Sequence, residues 1–166
     1  MATAAGIAGT VCGIVLLIAG VMKVGGMGVF GQQIVAYRVL PRRLARLAGY
    51  LLPPLEMTLG ISMLFAPRLG AGAAFLFASF AVAVGLNLLR GRTELRCGCF
   101  GATGRHTISW RHVAGNFGLA LLAVLSFLGN HRPSFLAFQA GVSLVVLVLL
   151  LSAWRALTPK HVRLDR

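Results

Sequence analysis

The sequence is divided into long apolar runs, and the length of these runs restricts the fold more than any other feature. Five runs of roughly 17 to 21 residues, the length that a helix needs to cross the core of a bilayer, occur at about 5–23, 47–66, 69–89, 113–129 and 134–154. Only 11% of the 166 residues are charged, against roughly a quarter in soluble domains. We therefore predict an all-α, polytopic membrane helical bundle that forms a single domain over residues 1–166.

Two polar segments interrupt the apolar pattern. Residues 25–48 mix arginines with aliphatic residues, which is typical of a short amphipathic helix at the membrane interface, here broken at Pro41. Residues 90–111 form the second polar segment. Pro53 and Pro54 lie within the second apolar run and predict a kink there. The first run is expected to be a retained helix and not a signal peptide, because no basic segment precedes it.

The formal net charge of +13 does not indicate nucleic acid, because the basic residues cluster at the ends of apolar runs instead of forming a patch with interleaved aromatics. With the N-terminus outside and the C-terminus in the cytoplasm, all of the 16 lysines and arginines except Arg68 and Arg132 are cytoplasmic, as the positive-inside rule favours. We expect an inner (plasma) membrane protein in contact with the lipid bilayer. Under any five-span topology, residues 25–48 and 90–111 lie on the same side of the membrane.

Two of the three cysteines, Cys97 and Cys99, lie one residue apart in the second polar segment. A disulfide between them closes a small, strained ring that Gly98 helps to form, and strain marks a bond as labile or catalytic. The nearby Arg96 and Arg105, with His106 as a further candidate, are expected to favour the thiolate. Redox chemistry is our preferred interpretation. There are two alternatives. The two cysteines ligate a soft metal such as copper or zinc, or they are chemically inert. Cys12 lies mid-span and is expected to be an apolar filler.

Glu56 places a carboxyl group about nine residues into the second apolar run. An ionisable group inside a span is costly and requires a partner. Lys23, at the end of the first run, is the candidate partner, with Tyr37 or Asn116 as neutral hydrogen-bond partners. A proton-handling role and a structural clamp between helices both remain open. Asn87 and Asn116 are more typical of hydrogen bonds between helices, and no metal site is expected.

The order and spacing of these residues resemble the MauE/DoxX-like redox-associated membrane proteins. The resemblance covers roughly residues 5–130, and the Cys-Gly-Cys-Phe-Gly motif is its most specific part. The matching positions are Lys23, Tyr37 with Pro41, Leu52-Pro53-Pro54-Leu55-Glu56, Cys97-Gly98-Cys99-Phe100-Gly101, Trp110-Arg111 and Asn116.

The resemblance implies a DoxX-like four-helix core over 5–130, with a fifth C-terminal transmembrane helix at 134–154 and a basic tail at 155–166. It also implies thiol–disulfide exchange with a thioredoxin-like partner, in support of disulfide formation or maturation of exported proteins. A membrane quinone is a further candidate electron carrier, although no motif marks a site for it. The candidate catalytic residues are then Cys97, Cys99 and Glu56, and the supporting residues are Lys23, Tyr37, Asn87, Phe100, Arg111 and Asn116.

A periplasmic role in disulfide formation requires cysteines that can be reached from outside, which conflicts with the orientation that the basic residues favour. Two other classes of function also fit the sequence. One is a non-enzymatic membrane chaperone or scaffold in which Cys97 and Cys99 form a structural staple. The other is a carrier of small solutes or metal ions that uses a pocket at Glu56.

Overall fold

The computed structural model describes residues 2–65, 69–98 and 107–129. Within these ranges the structure is a bundle of helices, four of which are long and apolar enough to cross a membrane, so the chain is a multi-pass membrane protein. The predicted span at 134–154 lies outside the described residues. The helices are α1 (Ala2–Val24), α2 (Met27–Tyr37), α3 (Arg42–Phe65), α4 (Gly70–Leu89) and α5 (Trp110–Leu128).

The second membrane helix, α3, begins earlier than the apolar run that predicted it. It begins at Arg42 and not near residue 47, because Pro41 is well suited to precede a helix and its carbonyl accepts a hydrogen bond from the Ala45 amide at 2.9 Å. The amphipathic segment is correspondingly short, since α2 ends at Tyr37 and is capped by Arg38 in a left-handed conformation. Pro53 and Pro54 lie inside α3, which continues through both as one helix.

The core of the bundle is formed where α1 packs against α3 and α5, and where α4 packs against α5. Its buried side chains include Cys12, Leu16, Met63 and Phe77, so the expectation that Cys12 fills the core is confirmed. The short helix α2 does not cross the membrane and lies along α3. This arrangement places α2 between the core and the polar segment that follows α4.

Helices α1 and α3 approach so closely that two glycines are required at their crossing. A Cβ atom on Gly60 would lie 2.7 Å from the carbonyl oxygen of Gly13 and 2.8 Å from the amide nitrogen of Leu17. A Cβ on Gly13 would lie 2.9 Å from the carbonyl oxygen of Gly60. Small residues allow such backbone contact, which stabilises helix pairs in a bilayer by van der Waals packing.

The two polar segments lie on the same side of the bundle, as predicted. Arg92, which follows α4, donates hydrogen bonds to the carbonyl oxygens of Ala36 at 2.8 Å and Tyr37 at 3.3 Å, at the end of α2. Arg92 thereby satisfies carbonyls that a helix leaves without partners at its C-terminus. The contact joins the segment after α1 to the segment after α4.

The α1–α3 crossing generates the first prediction. We expect Gly60→Ala to destabilise the protein by about 1–3 kcal/mol, because the new Cβ would collide with backbone atoms that cannot rotate away. Gly118→Ala is the matched control, since a Cβ at Gly118 meets no atom of the described residues within 4 Å. The thermal unfolding temperature in detergent measures both variants, and equal unfolding temperatures would contradict the proposed close packing.

Candidate functional site

A buried ion pair joins α1 to α3. The Nζ atom of Lys23 lies 2.7 Å from Oε1 and 2.8 Å from Oε2 of Glu56, so the ammonium engages both carboxylate oxygens. The side chains are 1% and 0% exposed. The prediction that Lys23 is the partner of Glu56 is confirmed. Because each charge would be very costly alone in the interior of a membrane bundle, the two helices are held in this register together.

Two aromatic rings surround the ammonium of Lys23. Its Nζ atom lies 5.1 Å from the centroid of Phe30 in α2 and 5.7 Å from the centroid of Phe80 in α4. Both distances are within the range of a cation–π interaction. A single ammonium therefore contacts side chains from three other helices.

Phe30 also contacts the cysteine-bearing segment. A Cβ atom built on Gly98 would lie 3.4 Å from Cε2 of Phe30 and 2.6 Å from Oε1 of Gln33. Gly98 is buried and has a positive φ of 64°, a conformation that glycine adopts at no steric cost. Glycine is required at this position both for its backbone angle and for its contact with α2. The Phe30 ring thus lies between Lys23 and Gly98.

Tyr37 holds the residues just before Gly98. Its hydroxyl donates to the carbonyl oxygens of Arg96 at 3.2 Å and Cys97 at 3.1 Å. Burial raises the pKa of Tyr37 to about 12, since desolvation disfavours the phenolate. The hydroxyl therefore remains a proton donor at any physiological pH. Sequence analysis expected Tyr37 beside Glu56, whereas its hydrogen bonds go to the backbone around Cys97.

Asn87, at the end of α4, connects the core to the same segment. Its side chain is buried, its Nδ2 donates to the carbonyl oxygen of Ala83 at 2.9 Å, and its Oδ1 accepts from Nη1 of Arg92 at 2.9 Å. Because Arg92 also binds the end of α2, Asn87 fixes the direction in which the chain leaves α4. Sequence analysis expected hydrogen bonds from Asn87 to another helix, whereas the described hydrogen bonds go to its own helix and to Arg92.

The segment carrying Cys97 is further ordered by a short antiparallel bridge. Arg96 pairs with Thr107, and the amide of Ile108 donates to the carbonyl oxygen of Leu95 at 2.8 Å. Half-buried Cys97 packs against an apolar cluster that includes Tyr37 and Ile108. The cysteine is therefore presented from a supported surface at the mouth of the bundle.

One face of α2 carries three residues that contact this segment. Phe30, Gln33 and Tyr37 are spaced by three and four positions, so they share one side of a helix. Sequence analysis did not select Phe30 and Gln33, and it did not select Arg92. The spacing of Phe30 and Gln33 from Tyr37 was the available signal, whereas the contacts of Arg92 depend on tertiary structure.

Other predicted site residues lie elsewhere. Asn116 is half-buried and donates to the carbonyl oxygen of His112 at 2.9 Å, so this hydrogen bond stays within α5 and does not reach Glu56. Arg111 is exposed at the start of α5. Cys99 and Phe100 lie outside the described residues. Among the residues that the structure describes, no group of three or more His, Cys, Asp and Glu side chains lies close enough to hold a metal ion.

The arrangement has two parts with different chemistry. In the core, the Lys23–Glu56 pair is closed on itself, with two hydrogen bonds and two aromatic rings around the ammonium. At the mouth, Cys97 and Gly98 are held by neutral contacts from α2. A carboxylate occupied by an ammonium in this way is suited to fixing helices together, and a supported cysteine at the mouth is suited to reaction with a partner.

Comparison with known proteins agrees with the resemblance seen in the sequence. The family model for "Methylamine utilisation protein MauE" matches residues 1–129. Proteins named methylamine utilization protein MauE from Paracoccus denitrificans and Methylorubrum extorquens are 35% identical over 91 residues and 34% identical over 90 residues. These matches cover 53% and 52% of this chain, and 49% and 48% of the two relatives.

A third relative of the same name, from Paracoccus versutus, is 34% identical over 109 residues, which are 64% of this chain and 59% of that protein. The matched part of the chain thus spans about half the length of the first two curated relatives. No solved structure matches the chain significantly.

The ion pair generates the second prediction. We expect Lys23→Met to destabilise the protein by about 3–5 kcal/mol, because it leaves the Glu56 carboxyl group buried without its partner. The double variant Lys23→Met/Glu56→Met is expected to recover most of that loss, since it removes both buried charges. Unfolding temperatures in lipid nanodiscs measure the difference, with Arg111→Met as the exposed control. A double variant no more stable than Lys23→Met would contradict this account.

Proposed function

Because this chain belongs to the MauE family of membrane proteins, we propose that it is a membrane thiol–disulfide redox protein in which Cys97 and Cys99 cycle between disulfide and dithiol. The observation that carries the proposal is the supported position of Cys97, whose backbone carbonyl accepts a hydrogen bond from Tyr37 at 3.1 Å. Next to it, the buried Gly98 packs against Phe30 and Gln33.

Two observations support the pairing of Cys97 with Cys99. Cys97 is disulfide-bonded, and Cys12 is a free, buried thiol in the core. Cys99 is the remaining cysteine of the three in the sequence. A pair separated by a single glycine forms a labile bond of the kind found in catalytic disulfides.

The reaction is an exchange with a dithiol of a thioredoxin-fold partner. A partner thiolate attacks one sulfur of the pair, so that the intramolecular S–S bond breaks and a mixed disulfide forms. The second thiol of the partner then attacks the mixed disulfide, which releases the partner as a disulfide and this chain as a dithiol. Two electrons and two protons pass from the partner to Cys97 and Cys99, and the reverse sequence reoxidises them.

Glu56 is proposed to act at the base of this site through Lys23. Its two oxygens hold the ammonium, the ammonium lies against Phe30, and Phe30 contacts Gly98. In this arrangement Glu56 stabilises the polar pocket beneath the loop. Direct exchange of protons with the cysteines would require a path around the Phe30 ring.

The biological setting proposed is the maturation of exported, disulfide-containing proteins. The relatives carry the name methylamine utilization protein, and we propose that this chain also serves methylamine utilisation. We further propose a DoxX-like bundle in the bacterial inner membrane, with residues 134–154 as a fifth span. The N-terminus is then outside, and the arginine-rich face with Cys97 is cytoplasmic, where a cytoplasmic thiol exchanges electrons with it.

A non-enzymatic membrane scaffold is the second candidate function, and the same contacts favour it. Tyr37, Arg92 and the apolar cluster around Ile108 fix the segment firmly, as a structural staple requires. In that case the disulfide of Cys97 keeps a docking surface in shape, and its redox state does not change during function.

Replacement of the cysteines separates the two functions. We expect Cys97→Ser/Cys99→Ser to abolish oxidation of the thioredoxin-fold partner in cells, while the unfolding temperature changes little because the helices keep their packing. The oxidised fraction of the partner is measured by alkylation and gel shift, with Cys12→Ala as the control. Full oxidation in the double serine variant would contradict the redox proposal and favour the scaffold.

A membrane-impermeant thiol reagent tests the orientation of the protein in the membrane of intact cells. A Cys12→Ala background is used so that only Cys97 and Cys99 can be labelled. We expect labelling only after the cells are opened and the protein is reduced, because the positive-inside rule places this face in the cytoplasm. Labelling of reduced but unopened cells would show an outward-facing pair, overturn the proposed topology and favour a periplasmic partner.

A further inference from the structure

The side chain of Gln33 presents a buried hydrogen-bond acceptor to the cysteine-bearing segment. Its Oε1 atom is buried and, among the described residues, makes no hydrogen bond. The same atom would lie 2.6 Å from a Cβ on Gly98, so it is in contact with the residue between Cys97 and Cys99. A buried acceptor without a donor is unfavourable, and this one lies against Gly98, the residue that joins the two cysteines.

The two redox states of the cysteines differ in the donors that they offer. A disulfide has no hydrogen atom on sulfur and cannot donate, whereas a dithiol has two S–H groups, each a weak donor. The acceptor of Gln33 therefore lacks a partner beside the disulfide form and gains a potential partner only when the disulfide is reduced.

We infer that Gln33 accepts a hydrogen bond from a thiol of the reduced pair and thereby favours the dithiol over the disulfide. The inference rests on the proposed function and deepens it, because it sets the direction of electron flow. When the partner dithiol transfers two electrons and two protons, the S–S bond of this chain is replaced by two S–H bonds, and one of these S–H groups donates to Oε1. The chain is then biased toward oxidising its partner.

Gln33 acts here as a positioning residue for the proposed reaction. The adjacent Phe30 ring closes one side of the same contact with Gly98, which limits the access of water as an alternative donor. Tyr37 differs from Gln33 because its hydroxyl already donates to backbone carbonyls. An effect on the redox equilibrium is therefore specific to the acceptor of Gln33 and is not a general property of this face of α2.

The test is a redox titration of the purified full chain in lipid nanodiscs on a Cys12→Ala background. The protein is equilibrated with mixtures of reduced and oxidised glutathione, and the disulfide fraction is read by alkylation. We expect Gln33→Met to shift the equilibrium toward the disulfide by about fivefold or more, as the loss of a hydrogen bond to a buried acceptor implies. Gln32→Met is the matched control, because Gln32 is the exposed neighbour on the same helix, and its equilibrium is expected to be unchanged.

A Gln33→Met equilibrium equal to that of the parent, or shifted toward the dithiol, would overturn the inference. Gln33→Leu is titrated in parallel, so that the result does not depend on the folding of one variant, and unfolding temperatures identify folded samples. If the parent protein itself shows no reversible disulfide, the proposed function fails. If the parent titrates and the folded Gln33 variants match it, only the role of Gln33 fails.

Discussion

The ion pair between Lys23 and Glu56 is the constraint on which the rest of the structure depends. A membrane interior does not solvate separate charges, so each of these residues needs the other, and α1 cannot slide or rotate against α3 without breaking the pair. The same ammonium lies against Phe30 and Phe80, which extends the constraint to α2 and α4. The ammonium of Lys23 thereby links four of the helices. The close approach at Gly13 and Gly60 extends the contact between α1 and α3 deeper into the bundle.

The position of the cysteine-bearing segment follows from this core. Phe30 contacts the ammonium of Lys23 on one side and Gly98 on the other. The position of the core therefore determines the position of Gly98 through an uncharged ring. Tyr37, on the same face of α2, holds the carbonyls of Arg96 and Cys97, and Arg92 ties the end of α2 to the chain leaving α4. A helix too short to cross the membrane thus serves as the support of the cysteine-bearing segment.

The sequence predicted the parts of this structure that depend on one residue or one run. The four described membrane helices could be predicted because a crossing helix must be predominantly apolar, and the partner of Glu56 could be identified because a carboxyl group in a span requires one. The start of α3 was placed too late, since an arginine-rich first turn at the interface resembles a loop. Asn116 was expected near Glu56, but the carbonyl of His112 four residues earlier is within easy reach in the same helix. Phe30 and Gln33 were missed because an interfacial phenylalanine and glutamine have many ordinary roles, and only the fold brings Gly98 to them.

The Phe30 ring separates the Lys23–Glu56 ion pair from Gly98, and this separation matters for the proposed redox cycle. Reduction of a disulfide by two electrons and two protons leaves the net charge of the pair unchanged, so a completed cycle creates no new charge beside the low-dielectric bundle. The ion pair need not respond, and the helices that it holds can remain in place during turnover. The difference between the two redox states is then expressed in hydrogen bonding, because only the dithiol supplies donors. The described contacts of Gly98 and of the Cys97 carbonyl are neutral, and the unused acceptor of Gln33 lies next to Gly98, the residue that joins the proposed redox pair.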